Sequence, residues 1–348
     1  MRQYFLHVDE KKANHAGSKA VQDCETILND LGFKKIKAYS CFSKIRVIRK
    51  IIKGLQLAKM YLISKGSIVV IQHPYYMDNR YLNDLEKLKK KKSLYYIFII
   101  HDLESIRNLF ENKDIYQEKD QKMFSIADIV IAHNEKMIEK IQKVFGYPID
   151  KMVSLQIFDY LLGKETNIEL NKKGKNYGVM VVGNLNKSKS GYLYNDNFKN
   201  VSKKFALYGP QFDQESLKGA RYYGQFPPEK VVEQLQGSFG LVWDGNSPDC
   251  CEGKIGKYLM INNPHKTSMY LASGFPVIIW KEAALAEFVE KNHVGITVDS
   301  LWEIPDILNK ISEEEYDNML NNVANVSKKI TKGYFLRKAL NQAMSKLN

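Results

Sequence analysis

The densest chemistry in the chain lies between Asn262 and Trp280, where Asn263, Pro264, His265, Lys266, Thr267 and Ser268 precede a short apolar stretch and Gly274. Pro264 suits the start of a helix, Thr267 and Ser268 fall in its first turn, and Gly274 suits its stop before a strand. A helix start presents backbone N–H donors and partial positive charge, and Lys266 adds a full charge, so the pattern describes a diphosphate site. The same spacing also suits an ordinary capped helix. A second loop, Gly183 to Lys189, follows an apolar run. Gly183 permits close approach of the backbone to a phosphate, and Lys187 or Lys189 reaches an anion, although a glycine after a strand is common on its own. Tyr208 and Gly209 follow the next run, where the ring either faces a nucleobase or joins the core. Asp244, between Trp243 and Gly245 at another strand end, is placed to meet a sugar.

The first half of the chain offers acid–base chemistry. His101, Asp102 and Glu104 end an apolar strand, and a carboxylate or imidazole at such a rim suits a general base for a sugar hydroxyl. Asp102 and Glu104 superficially form a metal-binding pair, but the lysine and helix-terminus set already supplies positive charge, so no metal is expected. His73, Tyr75 and Tyr76 end another strand and suit an acceptor groove or a plain aromatic cluster. Asn14 to Lys19 links the first strand to its helix with small residues that let a phosphate or sugar come close. Signatures for P-loop nucleotidases, α/β-hydrolases, zincins and G-x-G-x-x-G oxidoreductases are missing from the sequence.

Short apolar runs alternating with helical patterns must position these residues, which implies parallel sheets with crossover helices. Strands are predicted at Gln3–Val8, 36–38, 67–72, 94–100, Ile129–Ala132, 152–155, 177–182, 205–208, Phe239–Val242, 276–280 and Gly295–Val298. Helical patterns include 18–31 and 134–144. A polar stretch, 164–175, reads as a linker, so the expected domains are 1–165, on the acceptor side, and 176–315, with terminal helices over 316–348. Two doubly wound α/β domains of this kind face a cleft and bind ligands outside the carboxyl ends of their strands.

The chain has 348 residues and a net charge of +13, unevenly spread. Residues 1–100 hold 20 Lys and Arg against 8 Asp and Glu, a balance of +12, so the first domain is expected to face something anionic. Lys44 to Lys59 is the densest piece. Its apolar positions 45, 48, 51, 52 and 55 recur at helical spacing with cations on the remaining arc, which describes either a basic amphipathic helix on an anionic membrane or a core-packed helix with a solvated face. Lys89–Lys92 reads as a solubilising turn. Nucleic acid is not an expected partner, because no zinc finger, RNP or helix-turn-helix pattern accompanies the charge. Four cysteines, Cys24, Cys41, Cys250 and Cys251, lack zinc spacing and read as reduced thiols. No signal-type leader is visible, and the longest apolar stretch falls far short of the about 20 residues that span a bilayer. A soluble, intracellular protein is expected.

Taken with its continuation Lys281 to Gly295 and Val298 to Leu301, with Phe239–Asp244 and with Ile100–Asp102, the Asn262–Trp280 segment strongly resembles bacterial GT-B glycosyltransferases of the β-1,6-galactofuranosyltransferase type. The glucosyltransferase that extends O-linked GlcNAc on serine-rich adhesins is a more distant likeness. The resemblance runs through essentially the whole chain, to Lys332–Arg337. It implies a GT-B fold of two Rossmann-like domains and a UDP-sugar donor held mainly by the second. Gly183, Asn184 and Lys187 would form the donor loop, Tyr208 and Gly209 the nucleotide pocket, and Asn263, His265, Lys266, Thr267 and Ser268 the diphosphate site. His15, Ala16, Gly17 and Ser18 would form the facing loop, and a final helix over 335–347 would return to the first domain. The expected reaction is an inverting, metal-independent transfer of galactofuranose from UDP-Galf onto a growing cell-surface glycan, with Asp102 or His101 as base. The acceptor would be lipid-linked, reached at the cytoplasmic face of the membrane through the Lys44–Lys59 segment. Transfer of glucose to a glycosylated serine-rich protein is the alternative; a silent GT-B-like partner subunit is a third reading. Self-association is left open.

Overall fold

The computed structural model describes residues 1–8, 16–38, 46–74, 80–107, 113–163 and 174–347. Runs of Val, Ile, Leu and Phe too short for helices become strands covered on both faces, as parallel sheets require. The first sheet contains β1 (Gln3–Val8), β2 (Lys34–Ala38), β3 (Ile68–His73), β4 (Tyr95–Ile100), β5 (Ile129–Ala132) and β6 (Met152–Ser154), ordered β2-β1-β3-β4-β5-β6. The second contains β7 (Val179–Val182), β8 (Ala206–Tyr208), β9 (Arg221–Tyr222), β10 (Phe239–Val242), β11 (Val277–Trp280) and β12 (Gly295–Val298), ordered β12-β11-β10-β7-β8-β9. Every pairing in both is parallel.

Both sheets are doubly wound, as expected from the sequence. Read from β9, the second has the strand order of dinucleotide-binding folds, while the first follows the flavodoxin-like order with one strand added. Chain order reverses between β7 and β10 in the second sheet and between β1 and β3 in the first. Such reversals open the crevice in which α/β sheets bind ligands.

The chain divides into two compact units, one with residues 1–8, Gly17–Leu155 and Leu336–Asn348, the other with Gln156–Phe335. The second unit thus begins about ten residues before the expected limit at 165, because 156–160 hydrogen-bond to its later residues. The predicted linker lies mostly outside the described residues. The last helix, Tyr334–Ser345, carries Met344 to the Gln3 amide, at 3.4 Å, and Arg337 to Asp30, at 3.1 Å. In the first unit the core packs Val69, Ile71, Phe98, Ile100 and Val130 against Leu85, Leu88, Met123, Ile138 and Ile141 from the helices.

Local chemistry explains several element ends. Asn134 caps the Glu135–Phe145 helix by accepting from Met137 N–H, and Gly146 closes it in the left-handed conformation. Lys89–Lys92 are not a turn. They form the last turn of the Arg80–Lys92 helix, where cations meet the negative end of the dipole. Lys89 pairs with Asp128 at 2.7 Å, and Lys92 donates to the Ile63 carbonyl at 2.6 Å. The basic segment is a helix over Arg46–Met60; Lys44 lies outside the described residues. Its apolar positions 48, 51 and 55 are exposed, which removes the core-packed alternative for them. Strand β9 has no apolar run, its two residues being exposed, and was not predicted. Cys24, Cys250 and Cys251 are not in disulfides, the first and last being buried and Cys250 exposed, while Cys41 lies outside the described residues.

Candidate active site

The second unit gathers the ends of β7, β8 and β10 and one helix tip around the β7–β10 reversal. The helix is His265–Ala272, entered through Pro264, which provides no side-chain cap. Its seat is set by Tyr270, whose hydroxyl donates to the Met180 carbonyl and accepts from Val182 N–H, at 3.1 and 2.8 Å. The Tyr270 ring lies so close over β10 that a Cβ on Gly240 would stand 2.1 Å from it. One phenol therefore fixes the helix across the strands on either side of the reversal.

At the helix tip Lys266 Nζ donates to Asp244 Oδ1, at 2.7 Å, and to the Trp243 carbonyl, at 3.0 Å. Both side chains of this ion pair are largely buried. Two of the three ammonium hydrogens are thus accounted for. Asp244, expected to meet a sugar, serves first as the partner that aims the lysine. Thr267 Oγ1 is buried with no hydrogen-bond partner. Ser268 differs from expectation: its hydroxyl donates to the Phe158 carbonyl at 2.7 Å, so it holds the chain rather than an anion. Asn263 donates to the Gln156 carbonyl at 3.1 Å, and the His265 ring lies 4.5 Å from that of Phe158. Gln156 and Phe158 were not predicted; they sit just after β6 with no motif of their own.

Gly183 and Gly209 end β7 and β8. Both occupy positive φ, 144° and 140°, and a Cβ on Gly209 would stand 1.8 Å from the Gly183 carbonyl oxygen. Only glycine permits that approach. Beside Gly183 itself a Cβ would meet nothing within 4 Å, so space remains next to its backbone. Asn184 is exposed and its Oδ1 accepts from Asn186 N–H. Lys187 is exposed and paired with Asp213 at 2.8 Å, and this pairing, with Ser216, holds the Asp213 carboxyl far below the usual range. Tyr208 does not offer a face to a base. It is buried, stacked on Tyr223 at 5.0 Å between centroids, and bonded to Gln234 and Gln236; burial pushes its phenol up to about 12.

In the first unit His101 and Asp102 follow β4 as expected. His101 Nε2–H donates to Gln72 Oε1 at 2.7 Å, and in the neutral ring the lone pair then sits on Nδ1. Burial, with the neighbouring His73, lowers His101 to about 4, so the ring is neutral at ordinary pH. Asp102 Oδ2 accepts from Arg107 at 2.9 Å, and the same guanidinium lies 3.3 Å from Glu104 Oε1. Arg107 and Gln72 were missed because neither falls in a recognisable motif. His73 is buried and donates through Nε2 to Asp120 at 2.7 Å, while Ser105 holds the other Asp120 oxygen. Ala16, Gly17 and Ser18 belong to the first turn of the Ala16–Asp30 helix rather than to a loop. His15, Tyr75 and Tyr76 lie outside the described residues. Among the described residues no three His, Cys, Asp or Glu side chains gather as a metal site.

Residues 2–157 match the family described as Glucosyltransferase 3-like, N-terminal domain, and residues 179–343 match Glucosyltransferase 3-like, C-terminal domain. The β-1,6-galactofuranosyltransferase WbbI of Escherichia coli (strain K12) is 29% identical over 355 residues, covering 99% of each chain. Glucosyltransferase 3 of Streptococcus parasanguinis is 23% identical over 356 residues, covering 99% of this chain and 98% of the relative. Among solved structures, Anabaena HepE in complex with UDP has a TM-score of 0.60 at 11% identity, covering 99% of each chain, a likeness of fold.

Proposed function

The chain belongs to the glucosyltransferase 3-like family and is a glycosyltransferase of GT-B fold, and on that premise we propose that it transfers galactofuranose from UDP-Galf to a growing surface glycan. The observation that carries the donor site is the Lys266–Asp244 pair at an uncapped helix tip beside the β7–β10 reversal. In this reading the UDP diphosphate lies against that tip, with Gly183, Asn184 and Lys187 on one side and Gly209 beyond them. The galactofuranosyl donor is favoured by the full-length identity to WbbI.

The reaction is a single displacement with inversion. The acceptor hydroxyl gives its proton to Asp102 or to His101 Nδ1, its oxygen bonds to the anomeric carbon, and the bond from that carbon to the diphosphate oxygen breaks. Negative charge then grows on the departing UDP, where Lys266 and the helix dipole meet it in a largely buried setting. These groups supply the positive charge without a metal. The acceptor is a lipid-linked glycan on the cytoplasmic side.

The similarity to Glucosyltransferase 3 favours one competing reading, glucose transfer from UDP-glucose to a glycosylated protein. UDP release measured with UDP-Galf, UDP-glucose, UDP-galactose and UDP-GlcNAc, each with glycan acceptors, decides between them. Turnover highest with UDP-Galf is expected. Turnover with UDP-glucose alone overturns the galactofuranosyl reading, and no turnover with any donor leaves a silent subunit.

A further inference from the structure

The Arg46–Met60 helix turns apolar side chains to solvent. Val47, Ile48, Ile51 and Leu55 are exposed, Ile51 by 57% and Leu55 by 58%, and Leu62 in the following turn is 81% exposed. Positions 47, 51, 55 and 58 follow at helical steps of three and four, so Val47, Ile51, Leu55 and Ala58 form one row that leads to Leu62. A helix of a water-soluble unit ordinarily turns such a stripe inward. Here the row stays open, and exposed apolar patches of this kind mark binding surfaces.

Charge identifies the occupant. The helix contains Arg46, Arg49, Lys50, Lys53 and Lys59 and no carboxylate. Beyond its end, Lys91 Nζ lies 4.9 Å over the Tyr61 ring, and Lys92 donates to the Tyr61 and Ile63 carbonyls. A second copy of the chain would bring five like charges against these five, which opposes self-association through this face. An anionic lipid surface satisfies both halves at once: aliphatic side chains enter the headgroup–acyl boundary while Lys and Arg meet phosphates. No helix among the described residues is long and apolar enough to cross a membrane, so the element would lie on a bilayer, not through it.

We infer that residues 46–62 form an interfacial element that docks the first unit on a membrane rich in anionic phospholipid. The inference stands on this surface alone and does not need the donor site.

Sedimentation of the full chain with vesicles of phosphatidylcholine, with or without an equal part of phosphatidylglycerol, tests it. Binding is expected only to the mixed vesicles, and it falls as salt rises because exposed charges are screened. Arg49→Gln with Lys53→Gln weakens it about thirtyfold. Ile51→Asp with Leu55→Asp removes it while leaving the thermal midpoint unchanged, since both side chains are exposed. Equal binding to both vesicle types, no binding to either, full binding by the Ile51→Asp/Leu55→Asp variant, or a wild-type dimer that this variant abolishes would each overturn the proposal. UDP affinity measured by calorimetry on the same preparations separates this outcome from failure of the donor site.

Discussion

Replacing Lys266 by alanine probes the proposed donor site through two effects that differ in origin. The ammonium lies 2.7 Å from Asp244 Oδ1 in a pair shielded from water. Removing a preorganised charge from a developing oxyanion costs about 10²–10³ in kcat, or about 2.7–4 kcal/mol of barrier. Removing it also leaves Asp244, only 5% exposed, without its countercharge. Breaking a buried pair from one side costs about 3–5 kcal/mol of stability, and the small remaining exposure of both groups places this case near the lower end. The two losses separate in the double variant Lys266→Ala/Asp244→Asn. Neutralising the orphaned carboxylate should restore most of the stability, measured by urea unfolding, and none of the turnover, measured as UDP release at saturating donor. If stability and kcat return together, Lys266 serves only as the partner of Asp244, and the diphosphate assignment is refuted.

Asp102→Asn should lower kcat by about 10²–10⁴, the range for a general base; a loss under tenfold moves that role to His101. Gly209→Ala should weaken UDP binding and lower stability by at least about 1–3 kcal/mol from backbone strain, read by calorimetry and thermal unfolding, because its Cβ would collide with the Gly183 carbonyl. Acid should destabilise the first unit in a defined window. Burial lowers His101 to about 4 and His133 to about 3, so the unfolded chain takes up protons near pH 6.5 that the folded chain refuses. The stability these neutral rings allow is whole above pH 6.5 and is lost as pH falls toward 4 and 3. Urea midpoints recorded across that range should drop, and His133→Gln should flatten the drop; an unchanged slope would show that His133 titrates alike in both states.

The sequence by itself determined the strands that lie inside sheets and the helix tip at Pro264. A parallel strand covered on both faces must be apolar along its whole length, so Ile97–Ile100 or Val277–Ile279 announce themselves without any knowledge of their neighbours. Lys266 and Gly183 were legible because a helix start and a glycine at a strand end are local features. Tertiary structure alone decided what those residues touch. Lys266 meets Asp244, Ser268 meets the Phe158 carbonyl 110 residues away, and Tyr208 turns into a stack with Tyr223. Strand β9 exists because β8 offers it an edge, not because Arg221 and Tyr222 favour extension. The physical reason is the same in each case. Periodicity and turn chemistry act over a few residues, whereas the hydrogen-bond partner of a buried polar group is set by which distant segments lie beside it in the fold, and that placement leaves no mark on the local pattern.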